Sequence, residues 1–336
     1  MQSISFGDLA SNLRATRQTA DLKQDLTRLG QELSTGLTSD TNQAVNGDFL
    51  PLADLERSVK ALEAFQFSTQ DAGLFVDAAQ RALDTIQNYA SVSSQNYLTV
   101  SSGGSTVAFD AIIADTAAQF EATVSVLNTN VGDRALFSGR ATNTAALVDA
   151  DTILTAVAAA ATGATTAADL IAAVDTWFDT PGGGYETLAY AGSPNTLAPF
   201  ELGQGQTAEF SATAQDQEIR DILKNFAKVA VLEDAGINLT GDEQRALIQD
   251  AGLGLLTAEK AVSNYRADIC SAEAKIAEAG VRNTAEIAAL NLARSNILTI
   301  DQFAVAADFE ATQGQLETLY TVTARLSQLS LVNFLR

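Results

Sequence analysis

TGDEQRALIQDAGLGLLTAEKAVSNYRADICSAEAKIAEAGVRNTAEIAAL, residues 240–290, carries one hydrophobic seam from end to end. Ala251, Leu255, Ala258, Val262, Tyr265, Ile269, Ala272, Ile276, Ala279, Asn283, Ile287 and Leu290 step by fours and threes over twelve positions. That spacing returns to one face of a helix and has the rhythm of helices packed side by side. Thr240 and Glu243 have the S/T-x-x-E form of a capping box, which starts the helix. The alanines let a neighbour approach closely, so a tight bundle is expected.

Working outward, the chain has four prolines, Pro51, Pro181, Pro194 and Pro199, and none between 52 and 180. Proline breaks helix interiors, so this gap leaves room for long helices. Leu55, Val59, Leu62, Phe65, Ala72, Val76, Ala79, Leu83, Ile86 and Ala90 predict one from Pro51 to the SSGGST run at 101–106. Phe109, Ile113, Ala117, Phe120, Val124, Leu127 and Val131 predict another. Around Asn291–Asp301 the rhythm weakens, and Thr299–Gln302 offers a second capping box, so a bend is expected there.

Both ends read as amphipathic helices. Leu9, Leu13, Leu22, Leu26, Leu29 and Leu33 are read as one stripe, and Leu316, Leu319, Val322, Leu326, Leu329 and Val332 as another, with Leu331, Phe334 and Leu335 at its end. Such faces need a partner, either each other or the same helices of neighbouring copies. Residues 34–51 form a polar break after the first helix.

The middle differs. From Ala141 to Ile219 there is no lysine or arginine, but there are ten acids: Asp149, Asp151, Asp169, Asp175, Asp179, Glu186, Glu201, Glu209, Asp216 and Glu218. Packed helices normally carry both signs for pairing, so this stretch is read as a separate module. Two alanine-rich helices are expected near 152–161 and 166–178, and strands at Tyr185–Tyr190, Leu197–Leu202 and Thr207–Ala212. The expected class is mainly α: a long-helix bundle with coiled-coil terminal helices and a small inserted α+β domain. Its divisions are assembly helices at 1–40 and 299–336, rod segments at 41–140 and 213–298, and the insert at 141–212.

Of 336 residues, none is histidine and one each is cysteine, tryptophan and methionine. That excludes Ser-His-Asp triads, Cys-His pairs, histidine metal sites and any intrachain disulfide. No catalytic residue, cofactor or metal is expected, and no enzyme. The formal charge of -21 opposes binding to nucleic acid or anionic membranes. No apolar run approaches the ~20 residues of a membrane span, and MQSISFGDLASNLRATRQ lacks the layout of a cleaved signal peptide. Cys270, beside Ile269, reads as a plain helix residue rather than a reactive thiol. Asp149-Ala150-Asp151 lacks the rest of a calcium loop, Gly182-Gly183-Gly184 lacks the lysine of a phosphate loop, and Thr240 of the Asn238-Leu239-Thr240 sequon reads as a cap.

Three stretches resemble the flagellin superfamily, and within it the hook–filament junction proteins, or hook-associated protein 3. Glu32-Leu33-Ser34-Thr35-Gly36 is similar to the family's L-S-T-G turn after the first helix. Asp133-Arg134-Ala135-Leu136-Phe137-Ser138-Gly139-Arg140 resembles the G-R-Y-I-F-A-G segment that leads into the variable domain. Ala324–Leu335 resembles the junction-protein ending rather than the N-x-x-P-Q-x-V-L-x-L-L ending of filament flagellins. At Leu37-Thr38-Ser39-Asp40-Thr41-Asn42-Gln43 the family's arginine and paired acids are missing.

The resemblance implies export unfolded by the flagellar type III route, aided by a cytosolic export chaperone. It implies an extracellular place in the bacterial flagellum, and motility as the process served. It further implies self-association through the terminal helices, with hook-associated and flagellin subunits as neighbours. A filament flagellin is the near alternative. A secreted helical adhesin or binding protein, with 141–212 as its recognition domain, is the alternative of another class.

Overall fold

The computed structural model describes residues 6–334, apart from 104, 234–236 and 238. The side chains of residues 6–9, 11, 12, 43, 106 and 326–334 lie outside the description. The architecture is mainly α with long helices, as the seams predict. In order come α1 (Phe6–Thr35), α2 (Thr41–Ala44), α3 (Leu50–Gly103), α4 (Thr106–Leu127), β1 (Asn130–Val131) and β2 (Arg134–Ala135). Then come α5 (Ala150–Ala160), α6 (Ala167–Asp179), β3 (Phe200–Gly203), β4 (Gln206–Ala208), α7 (Gln217–Ala230), α8 (Gly241–Leu298) and α9 (Gln302–Phe334). The chain divides into two compact units: residues 1–62 with 285–336, and residues 63–284.

The second unit holds one continuous core. The inward positions of α8 from Ala251 to Ala279 are buried, except Tyr265, which is half-buried. All of them but Ala272 share or pack against the core formed with Phe75, Val76, Leu83 and Ile86 of α3 and with Phe109, Phe120 and Val124 of α4. α3 and α8 run antiparallel: Thr69 meets Asn283, Gln80 meets Arg266, and Gln87 meets Glu259. Asn283 is the polar exception in the seam. It is 1% exposed, and its amide donates 2.9 Å to the Leu202 carbonyl on β3.

Helix starts follow the caps, with two corrections. Thr240 accepts the Glu243 amide at 3.3 Å, but the Glu243 carboxylate turns away and accepts the Ala167 amide at the start of α6, 2.6 Å. At the second site the cap is Asp301, not Thr299. Asp301 accepts the amides of Phe303 and Ala304 at 3.0 and 3.3 Å, while Thr299 bonds back to the Ser295 carbonyl. The bend falls where expected, between Leu298 and Gln302.

The acid-only stretch departs more. Its two helices are present, but Tyr185–Ala189 is a π-helical turn rather than a strand, closed by the Tyr190 amide on the Tyr185 carbonyl at 2.8 Å. The turn buries Tyr185 against Trp177 and Phe178 on α6, which an extended strand could not do with the same residues. The other two expected strands shorten to β3 and β4, an antiparallel hairpin with an irregularity between Glu201 and Gly203. The β1–β2 hairpin was not expected. It turns on Gly132 and Asp133, both at positive φ, the geometry that suits the twist of paired strands.

Contacts of 141–212 do not run mainly through its two ends. Ile153, Leu170, Val174, Phe178, Phe200 and Phe210 all belong to the core shared with α3, α4, α7 and α8. The missing cations come from α7: Lys224 meets Asp179 at 2.7 Å, and Lys228 meets Asp175 at 3.0 Å.

Candidate functional site: the paired helices α1 and α9

Within the first unit, α1 and α9 lie antiparallel. Lys23 sits 5.8 Å from the Tyr320 ring centre, a methyl group on Gly30 would lie 3.6 Å from Phe309, and Gly36 reaches the side chain of Gln302. The Glu32–Gly36 turn closes the pair. Gly36 adopts φ +72°, and its amide caps α1 on the Glu32 carbonyl at 2.7 Å. The chain then crosses to the α8–α9 link. Leu37 pairs with Thr299 in an isolated antiparallel bridge, with Thr38 N–H on Leu298 O at 2.8 Å and Ile300 N–H on Gly36 O at 3.1 Å. Glu32 is buried beneath. Its carboxylate accepts the Ser39 amide at 2.8 Å and lies 3.4 Å from Arg28.

The leucines of the expected stripes do not share one face. On α1, Leu29 is buried and Leu22, Leu26 and Leu33 are half-buried, whereas Leu13 is 52% exposed. Nine residues separate Leu13 from Leu22, about two and a half helical turns, so the two point to opposite sides. On α9, Leu316 and Leu319 are half-buried and Val322 is exposed. Successive steps of three fall short of a turn by about 60° each, so Val322 has rotated off the face of Leu316. Leu9, Leu326, Leu329, Leu331, Val332 and Phe334 have side chains outside the description, as does all of Leu335. Phe303, 91% exposed at the start of α9, was missed by the sequence reading because it sits on no stripe.

The second motif, Asp133–Arg140, forms a junction in the second unit. Arg134 pairs with Asp71 at 2.9 Å and lies over the rings of Phe75 and Phe200. Phe137 and Ser138 are buried, and the Phe137 carbonyl accepts the returning Ala214 amide at 2.8 Å. Gly139 sits at φ +61°, where a Cβ would lie 2.5 Å from the Asn195 carbonyl oxygen, so this position requires glycine.

The remaining candidates take local structural roles. Asp149 caps α5, accepting the amide and hydroxyl of Thr152 at 2.8 Å each; those bonds hold its carboxyl below its usual range. Cys270 is exposed, with the Gln80 amide 3.3 Å from its sulfur. Asn238 lies outside the described residues. Among the described residues no three His, Cys, Asp or Glu side chains gather as a metal site, and no helix is long and apolar enough to cross a membrane.

No protein-family model matches the chain, and no curated protein matches it either. Among solved structures, a protein of Vibrio parahaemolyticus described as a candidate flagellar hook-associated protein is similar, with a TM-score of 0.53. The alignment covers 75% of this chain and 99% of that one at 14% sequence identity, so the likeness is one of fold.

Proposed function

We propose that this chain is a structural subunit of the bacterial flagellum that joins hook to filament, with α1 and α9 as its assembly elements. One observation carries the reading. α1 spends one face, Leu22 to Leu33, on α9 and holds Leu13 on the opposite face without cover. An exposed leucine on the side of α1 that α9 does not cover is a place where a second, intermolecular helix can pack. The fold likeness to a candidate hook-associated protein supports the same reading, and so do the turn at Glu32–Gly36 and the junction at Asp133–Arg140. On this reading the role is mechanical rather than catalytic. The chain is exported unfolded, is held by a cytosolic chaperone beforehand, and takes hook-associated and flagellin subunits as neighbours outside the cell.

The test is electron microscopy of flagella from cells lacking the protein. Hooks without filaments, with flagellin lost to the medium, are expected. Filaments of normal length on unaltered hooks would overturn the proposal, and hooks with normal junctions but altered filaments would make the chain a filament subunit instead.

A further inference from the structure

The acid-only stretch shares the apolar core of the second unit and is also tied to it by charge, and the cations of those ties are arranged on one helix. Between Ala141 and Gln244 the only cations are Arg220, Lys224 and Lys228. They lie four residues apart on α7, hence on one stripe. The side chains of Arg220 and Lys224 are 12% exposed and that of Lys228 is 6% exposed.

Carboxylates surround the stripe from every side. From α6 come Asp175, 3.0 Å from Lys228, and Asp179, 2.7 Å from Lys224. The π-helical turn supplies Glu186, 3.9 Å from Arg220, and the Tyr185 ring beneath that guanidinium. α7 itself adds Asp221, 2.7 Å from Lys224, and α8 adds Asp250, 3.0 Å from Lys228. Arg220 also donates to the Phe178 and Gln215 carbonyls. The other end of α6 is tied by a carboxylate as well, through Glu243 of α8 on the Ala167 amide. Helix α6 is therefore fastened by Asp175 and Asp179 to the cation stripe near its end and by Glu243 at its start.

We propose that α6 is an acid-released latch: protonation of these carboxylates leaves the nearly buried Lys224 and Lys228 without partners, and α6 swings off α7 and α8 while the long helices stay folded. The asymmetry of exposure sets the direction. The side chains of Asp175, Asp179 and Asp250 are 38–45% exposed, whereas that of Lys228 is 6% exposed. Lys228 cannot reach water without moving the helix. An ammonium stranded in the interior is strongly unfavourable, far more so than a neutral carboxyl at the rim. Release exposes Leu170, Val174 and Phe178, all fully buried in the closed state, so the latch gates an apolar surface.

The chain carries its own reporter, because its one tryptophan, Trp177, sits on α6 beside Phe178 at 4.8 Å between ring centres. Acid titration of the full chain should be followed by Trp177 emission and by far-UV circular dichroism together. The emission should shift to the red at a higher pH than helicity is lost. Coincidence of the two transitions would overturn the latch. Lys224→Met with Lys228→Met removes the stranded cations at similar volume and should abolish the early transition, while an unchanged one would count against the mechanism. Should that variant fail to fold, Asp175→Asn and Asp179→Asn combined with Asp221→Asn and Asp250→Asn give an independent reading, since together they copy the acid state around both lysines at neutral pH. Red-shifted emission with helicity kept is expected, and native emission would sink the proposal.

Discussion

The Ser39 amide donates to the buried Glu32 carboxylate at 2.8 Å, seven residues back along the chain. This bond ties the strand leaving α1 to the helix it has just left, and it sits under the Leu37–Thr299 bridge that holds α1 against the start of α9. Glu32→Ala would remove the acceptor of this part-buried bond, a loss of about 1 kcal/mol. Hydrogen exchange should show lost protection at 36–40 and 298–301, with the second unit unchanged. Glu32→Gln keeps an acceptor and should lose less. Equal protection in Glu32→Ala and the parent chain would remove this bond from the closure of the pair.

On the proposed function, the two sides of α1 would separate folding from assembly. Leu29 is 5% exposed against α9, so Leu29→Asp buries a charge without a partner and should open the pair within the monomer. Leu13→Asp changes a side chain already in water. Its circular dichroism and thermal midpoint should match the parent, yet cells carrying it should fail to take the protein up on hooks. Normal motility with Leu13→Asp would remove that face from the assembly mechanism.

Gly139 should tolerate nothing larger. Its positive φ alone costs a non-glycine residue roughly 1–2 kcal/mol, and the carbonyls of Asn195 and Ser193 block the Cβ besides. Gly139→Ala is expected to lower the stability of the second unit by more than the backbone term alone, read by denaturant titration. Loss limited to about 1 kcal/mol would mean that the 193–195 loop yields easily.

The long helices were legible because their seams repeat many times, so that a few misread positions do not matter. Thr240 was legible from local capping chemistry, whereas the bend before Gln302 was legible from the weakened rhythm of 291–301 and its cap, Asp301, was not. The insert was not, because its helices and hairpins take their conformation from partners distant in sequence. YETLAY alternates like a strand, but Tyr185 turns inward to stack near Phe178 and Trp177. The missing cations of 141–219 signalled a separate module only while α7 was left out; Lys224 and Lys228 supply them from just beyond the stretch. It follows that replacing 141–212 by a short linker should uncover the apolar faces of α4 and α7 and yield aggregated chain. On the α1 stripe the error was one of counting, since the nine-residue step at Leu13 reverses the face.

Alkaline pH should destabilise the second unit, and the sign follows from the tyrosines. Burial pushes the phenol of Tyr97 above its ordinary value of 10.0, and it does the same to Tyr185. Tyr265 is raised by burial and by the Asp216 carboxylate that accepts its hydroxyl. Tyr190 is pushed up to about 12 by burial and by Asp216. Burial alone would lower Lys224, but its bonds to Asp179 and Asp221 outweigh that and raise it above 10.5. In every case the folded-state value lies above the unfolded one. The folded chain therefore binds these protons more tightly, and the stability they contribute is fully present below about pH 10 and lost as pH rises beyond it. Absorbance at 295 nm should show these four of the six tyrosines ionising only as helicity falls. Tyr265→Phe removes one such group together with its bond to Asp216, and should flatten the alkaline loss of stability while lowering stability at neutral pH. Reversible ionisation of all six tyrosines near pH 10, with circular dichroism unchanged, would show that the interior around Asp216 is open to water.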